Sequence, residues 1–538
     1  MNRPVSPWAP FRHRAFFWLW LGVVISSVGL WAQTVGAQWL FVDDPNAATI
    51  VTLVQTATTL PMMLLALPAG VLADAFDRRG LMLGVQTYFV VVAVMLALLT
   101  AAGMMPPALL LSFTFAIGAG QAVLSPTWQA LITELVPRTE LAAATRLDMV
   151  SVNVARAAGP ALAGVVIARW GVPPVFAVTA ATAGVLTLVL VAWRRPRSTH
   201  GEREPFLPAL AAGSRYVRHE PVVRRILLRF AAFMVPACAV WALLPLIASR
   251  QLGLDAAGYG LLFAALGVGA VVGALGLGRI TQHLSSNAVL VLAAIAFALA
   301  FGALAVAPGL WVAAPLLIVC GFGWTATVST VISELQLFLP GWVRARAIAV
   351  YLMVFLGTQA IFSPIWGQVT QHLGLDVAML AVAALVALSA IGGLALHVPD
   401  SQHLDRSALS YWIPPPLAVE PEPGSGPIMV SIEYQVAADQ EAPFLAAMEA
   451  MRRSRLRSGA SHWDLYRVGE HPDLFTEQFR VPSWREHQLQ HDGRLTAEDQ
   501  AIEDAAFAHI IGTPHTRHLF PPATARDSPP NGQPDHDQ

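Results

Sequence analysis

The sequence predicts an all-α membrane protein of twelve transmembrane helices in two six-helix halves, followed by a small α+β module. Three observations predict it. The 538 residues are 55% hydrophobic and only 12% charged, where a soluble globular chain carries about 25% charged residues. Twelve mostly apolar stretches, each close to the roughly 20 residues that cross a bilayer, lie before Pro399. Beyond Pro399 charge returns with the opposite sign: residues 1–397 hold 22 Arg against 13 acids, whereas 398–538 hold 11 Arg against 21 acids.

The expected spans are 16–40, 48–73, 81–102, 107–133, 147–168, 174–193, 226–249, 257–277, 287–307, 311–333, 347–369 and 376–397. The first follows Met1–Arg14 directly and is long enough to span, so it reads as a helix and not as a removable signal. With a cytoplasmic N-terminus, the inside loops carry 17 arginines and the outside loops two, Arg169 and Arg250. Positive charge stays on the cytoplasmic side during insertion, which predicts a multi-pass inner-membrane protein with both termini in the cytoplasm and the lipid bilayer as its surroundings.

The spans repeat. Gly70, Gly164 and Gly171 are each followed 203 residues later by Gly273, Gly367 and Gly374, and "ITELVP" at 132–137 answers "ISELQL" at 332–337. This is the signature of two parallel halves with a substrate path at their interface. The expected organisation is a first half at 1–200, a cytoplasmic central loop at 201–225, a second half at 226–400, a Pro/Glu-rich linker at 401–427, a module at 428–520 and a disordered tail at 521–538. Within the module, alternating and amphipathic stretches follow a β-α-β-β-α-β order, with the second helix (482–511) broken near Gly493. That order is the ferredoxin-like one.

Several chemistries find no support. Cys238 and Cys320 both lie in apolar runs, where a thiol acts as a small hydrophobe. Glycine-rich phosphate loops are absent, so neither a nucleotide nor another cofactor is expected, and no feature points to nucleic acid. His487 and His491 stand four apart, but "EHQLQH" is not a zinc-protease arrangement, and solvated surface histidines are the expectation. No metal site and no catalytic residue are assigned; the chain is not expected to be an enzyme.

Polar groups at lipid depth must be satisfied inside the bundle, so they are the candidates for a small organic substrate or a coupling ion. They are Arg156, Asn153, Gln33, Gln55, Gln121 and Gln129, with Trp31, Trp241, Trp324 and Gln359 as further lining candidates. Two roles are open for Arg156: meeting an anionic substrate in a cavity, or locking to Asp148 or Glu134 near the inner surface. Arg229 lies close enough to a helix start to reach water by its long stem. No Asp or Glu falls near the centre of a span, so proton coupling, the candidate drive, lacks an obvious titratable group. Gly159, Pro160 and Gly164 in helix five allow a kinked, closely packed helix.

The stretch "GVLADAFDRR" (70–79) resembles the loop between helices two and three of the major facilitator superfamily. The resemblance implies that Gly70, Asp74, Arg78 and Arg79 form the inward gate. "SPTWQALITELVPRTELAAATRLDMVSVNVARAAGPALAG" (125–164) is similar to the enterobactin-exporter, or transmembrane secretion effector, branch, grouped with drug:proton antiporters. "RAAGPALAG" resembles the antiporter helix-five motif, with Ala163 where glycine is frequent. Helix four lacks the arginine that many proton-coupled relatives carry. The resemblance covers about 1–400 and implies a secondary transporter that exports siderophore- or drug-like molecules by alternating access. Uptake by the same fold stays open, as does a tethered enzyme or sensor working through 428–520. That module resembles dimeric α/β-barrel domains, which implies self-association.

Overall fold

The computed structural model describes residues 6–193, 214–397, 417–418, 421–422 and 424–521, apart from the side chains at 67, 70, 71, 73–75 and 395. Most of the expected central loop, linker and tail, the surroundings of Gly70 and the side chain of Asp74 lie outside the described residues. The chain divides into two compact units. The first comprises Met1–Arg203, Arg225–Ser333 and Tyr351–Pro399; the second comprises Glu204–Arg224, Glu334–Val350 and Asp400–Gln538.

Twelve helices among the described residues are long and apolar enough to cross a membrane. They are α1 (Arg14–Trp39), α2 (Ala47–Ala75), α3 (Arg78–Ala101), α4 (Pro107–Leu135), α5 (Leu141–Trp170) and α6 (Pro173–Ala192). The second set is α7 (Pro221–Gln251), α8 (Ala256–Ile280), α9 (Ser286–Leu304), α10 (Leu310–Phe338), α11 (Gly341–Leu373) and α12 (Leu375–Ala395). In hydrocarbon every backbone N–H and C=O needs an internal partner, which leaves the helix as the conformation for such apolar runs. The largest shifts from the expected spans are at α5 and α11, each of which starts six residues earlier, at Leu141 and Gly341.

The 203-residue repeat has a geometric cause. A Cβ on Gly164 of α5 would stand 2.6 Å from the Ala256 carbonyl oxygen of α8, and one on Gly367 of α11 would stand 2.7 Å from that of Ala48 in α2. Each glycine lets a helix of one set of six touch a helix of the other. Gly171 and Gly374 follow α5 and α11 with φ of +81° and +94°, a backbone region that side-chain-bearing residues resist. Association in lipid rests on such close backbone approach.

In the second unit β1 (Ile428–Gln435), β2 (His462–Val468), β3 (His471–Val481) and β4 (His515–Leu519) form an antiparallel sheet in the order β2-β3-β1-β4. Alternate residues Ile428, Val430, Ile432 and Tyr434 are buried in one core with Phe444 and Met448 of α13 (Glu441–Ser458). Two further helices follow, α14 (Trp484–Leu489) and α15 (Ala497–Phe507), separated by a break at Asp492 and Gly493. Thr496 and Asp499 close a capping box at the start of α15, satisfying N–H groups that a helix end leaves bare.

Ion pairs join distant segments of this unit. Arg457 at the end of α13 pairs with Glu220 and with Asp499, both at 2.6 Å, and all three are buried. Arg494 pairs with Glu486 at 2.7 Å, its guanidinium lies over the Trp342 ring, and the Trp342 indole donates to its carbonyl. Tyr216 meets Trp342 edge-on at 5.7 Å. Glu477, fully buried in β3, accepts from the Tyr434 hydroxyl at 2.6 Å and the Trp463 indole at 2.7 Å.

The histidine expectation is corrected. His487 is buried against Trp484, with its Nε2 3.1 Å from that of His518 and His491 packed edge-on beside it. Burial lowers His487 to about 4 and His491 to about 2. Surface helix position did not imply exposure here, because β4 closes over α14.

Candidate substrate cavity

Within the first unit a cavity of about 420 Å³ opens among the helices. Its lining residues come from α1, α2, α4 and α5 and from α7, α8, α10 and α11; α3, α6, α9 and α12 contribute none among the described residues. Aromatic walls are made by Trp31, Trp128, Trp241, Phe263, Trp324 and Phe355. Amides and hydroxyls alternate with these rings, but charged groups are few: among the described lining residues only Asp148 and Arg156 carry one.

Four of the six expected candidates, Arg156, Gln55, Gln121 and Gln129, line this cavity, as do Trp31, Trp241, Trp324 and Gln359. Gln33 and Asn153 are not among the lining residues. Gln33 is buried, and the Asn153 amide donates to the Met149 carbonyl of its own helix at 2.8 Å. Arg229 bonds the Asn287 side chain and, at 3.2 Å, its carbonyl, so it ties α7 to α9 away from the cavity.

The expected lock of Arg156 to Asp148 or Glu134 is not formed. Glu134 pairs with Arg78 at 2.5 Å, and Asp148 accepts from the Trp128 indole at 2.7 Å. Arg156 has neither acid as partner: its guanidinium lies 5.5 Å from the Trp31 ring centre and 5.9 Å from that of Trp241. Its buried Nε has no hydrogen-bond partner. An eight-residue separation on a helix is about 12 Å of rise, too far for a direct ion pair. Asp148 is the charged cavity residue that sequence reading did not place there. The early start of α5 sets it well inside the helix.

The expected gate residues divide. Arg78 also donates to the Ala130 carbonyl of α4 at 3.0 Å, and Arg79 donates to the carbonyls of Leu190 and Val191 at the end of α6 at 2.9 and 3.1 Å. Both arginines thus fasten the start of α3 to its neighbours. The Asp77 carboxylate caps α3 by accepting from Gly80 N–H at 2.7 Å. In helix five, Pro160 and Gly164 face α8, where a Cβ on Gly260 would meet the Pro160 carbonyl at 2.6 Å; Gly159 instead faces α1 at Val28.

Hydrogen bonds joining α1 and α2 to α7, α8 and α11 gather at the end opposite Arg78. Gln55 donates to Gln359 at 3.0 Å and Thr56 to the Ala360 carbonyl at 2.9 Å. Tyr259 donates to Gln38 at 2.6 Å and Gln368 to Thr49 at 3.1 Å.

Twelve spanning helices around a central cavity, with every third helix peripheral, define a multi-pass membrane protein of the major facilitator fold. The chain belongs to the transmembrane secretion effector family, whose model matches residues 5–525. It is 27% identical over 150 residues to the staphyloferrin A transporter of Staphylococcus aureus, covering 28% of this chain and 38% of the relative. It is 28% identical over 199 residues to the enterobactin exporter EntS of Salmonella typhi, covering 37% of this chain and 47% of the relative. The chain thus spans less than half the length of the curated relatives it matches. Among solved structures it resembles a bacterial homolog of the human lysosomal transporter Spinster in an inward-facing, unoccupied conformation, with TM-score 0.57, 14% identity and coverage of 72% of this chain and 97% of that one. The nucleoside transporter NupG is similar with TM-score 0.56, 12% identity and coverage of 70% and 98%. At such identities the likeness is one of fold.

Proposed function

We propose that this chain is a secondary transporter that exports small organic molecules, siderophore- or drug-like, across the inner membrane by alternating access. The observation that carries the reading is the cavity, lined by four helices from each set of six. The names of the relatives support the substrate class. Arg156, Gln55, Gln121 and Gln129 meet the substrate, and Gly159, Pro160 and Gly164 hold helix five close to its neighbours. Gly70, Asp74, Arg78 and Arg79 form the inward gate.

The arginine distribution supports placing the Arg78 end, and both termini, in the cytoplasm. With the inter-set hydrogen bonds at the other end, this conformation is then the inward-facing one. The proton is the proposed coupling ion; Asp148 is the one carboxylate among the described lining residues. The sheet order β2-β3-β1-β4 supports reading 428–520 as a ferredoxin-like module, and its edge strands β2 and β4, which partner pairing can cover, support self-association.

The test compares small molecules retained by cells with and without the protein, and with Gln121→Trp, which fills the cavity. Export predicts lower retention only with the unfilled protein. Higher retention would mean uptake, and no difference for any compound would overturn transport.

A further inference from the structure

The cavity carries two opposite charges that do not neutralise each other. Arg156 and Asp148 both line it, both from α5, and about 12 Å of helix rise separates them. Among the described residues neither forms an ion pair. The Arg156 guanidinium lies over both the Trp31 and Trp241 rings, and its buried Nε lacks an acceptor. Asp148 takes the Trp128 indole N–H and a long contact of 3.5 Å from the Ser151 hydroxyl. A charge at lipid depth without a counter-charge is costly, and protein side chains here do not supply one. The rest of the described lining is neutral: amides, hydroxyls, aromatic rings and aliphatic side chains.

On the reading of this cavity as the transport site, we propose that its substrates are amphoteric: small molecules with an acidic group for Arg156, an ammonium or other cationic group for Asp148, and a flat apolar middle for the aromatic walls. The guanidinium offers two parallel N–H donors to a carboxylate, and the tryptophan faces hold it in place without consuming those donors. Asp148 accepts only one strong hydrogen bond, so lone pairs stay available for an N–H cation. Molecules with a single charge leave the other end of the cavity uncompensated, whereas an amphoteric one completes both ends. The spacing sets a length as well as a charge pattern.

The full chain in lipid nanodiscs is titrated with ω-aminocarboxylates of about six to twelve carbons, using intrinsic tryptophan fluorescence. Alkyl carboxylates, alkylamines and alkanols of the same lengths serve as controls. One length of aminocarboxylate should bind at least tenfold more tightly than either singly charged control. Asp148→Asn should reduce it to the affinity of the carboxylate, and Arg156→Gln to that of the amine. Arg156→Lys keeps the charge and should keep the preference in part, which covers the case in which the glutamine variant does not fold. Aminocarboxylates that bind no better than alkanols, or variants that weaken all four probe classes equally, would overturn the proposal. Gln121→Trp separates this from the transport reading. If it abolishes both probe binding and cellular export while amphoteric preference is absent, the transport site stands and the charge assignment falls. If probes show the preference but the filled cavity still exports, the transport reading falls instead.

Discussion

Glu220 and Arg457 form an ion pair at 2.6 Å although 237 residues separate them. Glu220 immediately precedes Pro221, the first residue of α7, and Arg457 is the next-to-last residue of α13. The pair therefore fastens the α+β module to the segment that leads into a membrane helix. Arg457 is 7% exposed and Glu220 4%, and the carboxylates around Arg457 hold its guanidinium more firmly protonated than usual.

Removing one partner of a buried pair leaves the other uncompensated, which costs about 3–5 kcal/mol. Arg457→Ala should therefore lower the thermal midpoint of the second unit sharply. Arg457→Ala combined with Glu220→Gln should cost less than the sum of the single changes, as expected for residues in contact. Strict additivity in a thermal-unfolding cycle would show that the pair contributes nothing.

The histidine cluster predicts a pH dependence. Burial lowers His487 from its ordinary value of 6.5 to about 4, and His491 and His518 are lowered in the same direction. Such a group binds its proton more readily when unfolded, so its stabilising contribution is complete above about pH 6.5 and is lost as the pH falls toward 4. Asp499, lowered in the folded state by Arg457, loses its contribution at still lower pH. The unfolding midpoint followed by circular dichroism should fall between pH 6.5 and 4.5, at up to about 1.4 kcal/mol per pH unit per proton. His487→Gln should flatten that slope. An unchanged slope in the variant would remove His487 as its source.

The paired glycines predict paired effects. Gly164→Val and Gly367→Val each push a side chain into the backbone of the facing helix, at Ala256 and Ala48 respectively. Both should impair folding or transport to a similar degree, while Gly184→Val, where a Cβ meets nothing within 4 Å, should be mild. Transport per membrane-inserted protein is the measurement. A harmless Gly164→Val would break the link between the repeat and the inter-set contacts.

Orientation is open to direct measurement. Reporter fusions after Trp193 and after His397 should both report cytoplasm, and fusions at Gly103 and Gly253 the opposite side. A reversed result at either pair would invert the assignment of the cavity opening.

Much of the membrane unit was legible because hydropathy and helix length are the same constraint in lipid. The six-residue error at α5 shows where that equivalence stops: Thr145 and Arg146 lower the local hydropathy, yet the hydrogen-bond ladder runs through them. That error placed Asp148 at the edge of the span and not inside the helix. The lining was legible through the rule that lipid-depth amides face inward, but that rule carries no helical phase. Trp31, Thr34 and Gln38 recur at spacings of three and four and share the cavity face of α1. Gln33, two residues past Trp31, falls on another face. Pairing of Glu220 with Arg457 left no local signal, since neither residue's neighbours mark it.

The wide chain separation of that pair also sets an order of events during synthesis. At about 5–20 residues per second, the 237 residues between them take on the order of 12–50 s to emerge. Throughout that interval Glu220 stands at the start of α7 without its arginine, and Trp342, once made, waits a further 152 residues for Arg494. The segment ahead of α7 can reach its final packing only after the ribosome has delivered α13 to α15. A chain released early would thus keep its membrane helices and carry bare acidic and aromatic groups on the second unit, a mark by which proteolysis could tell an unfinished molecule from a finished one.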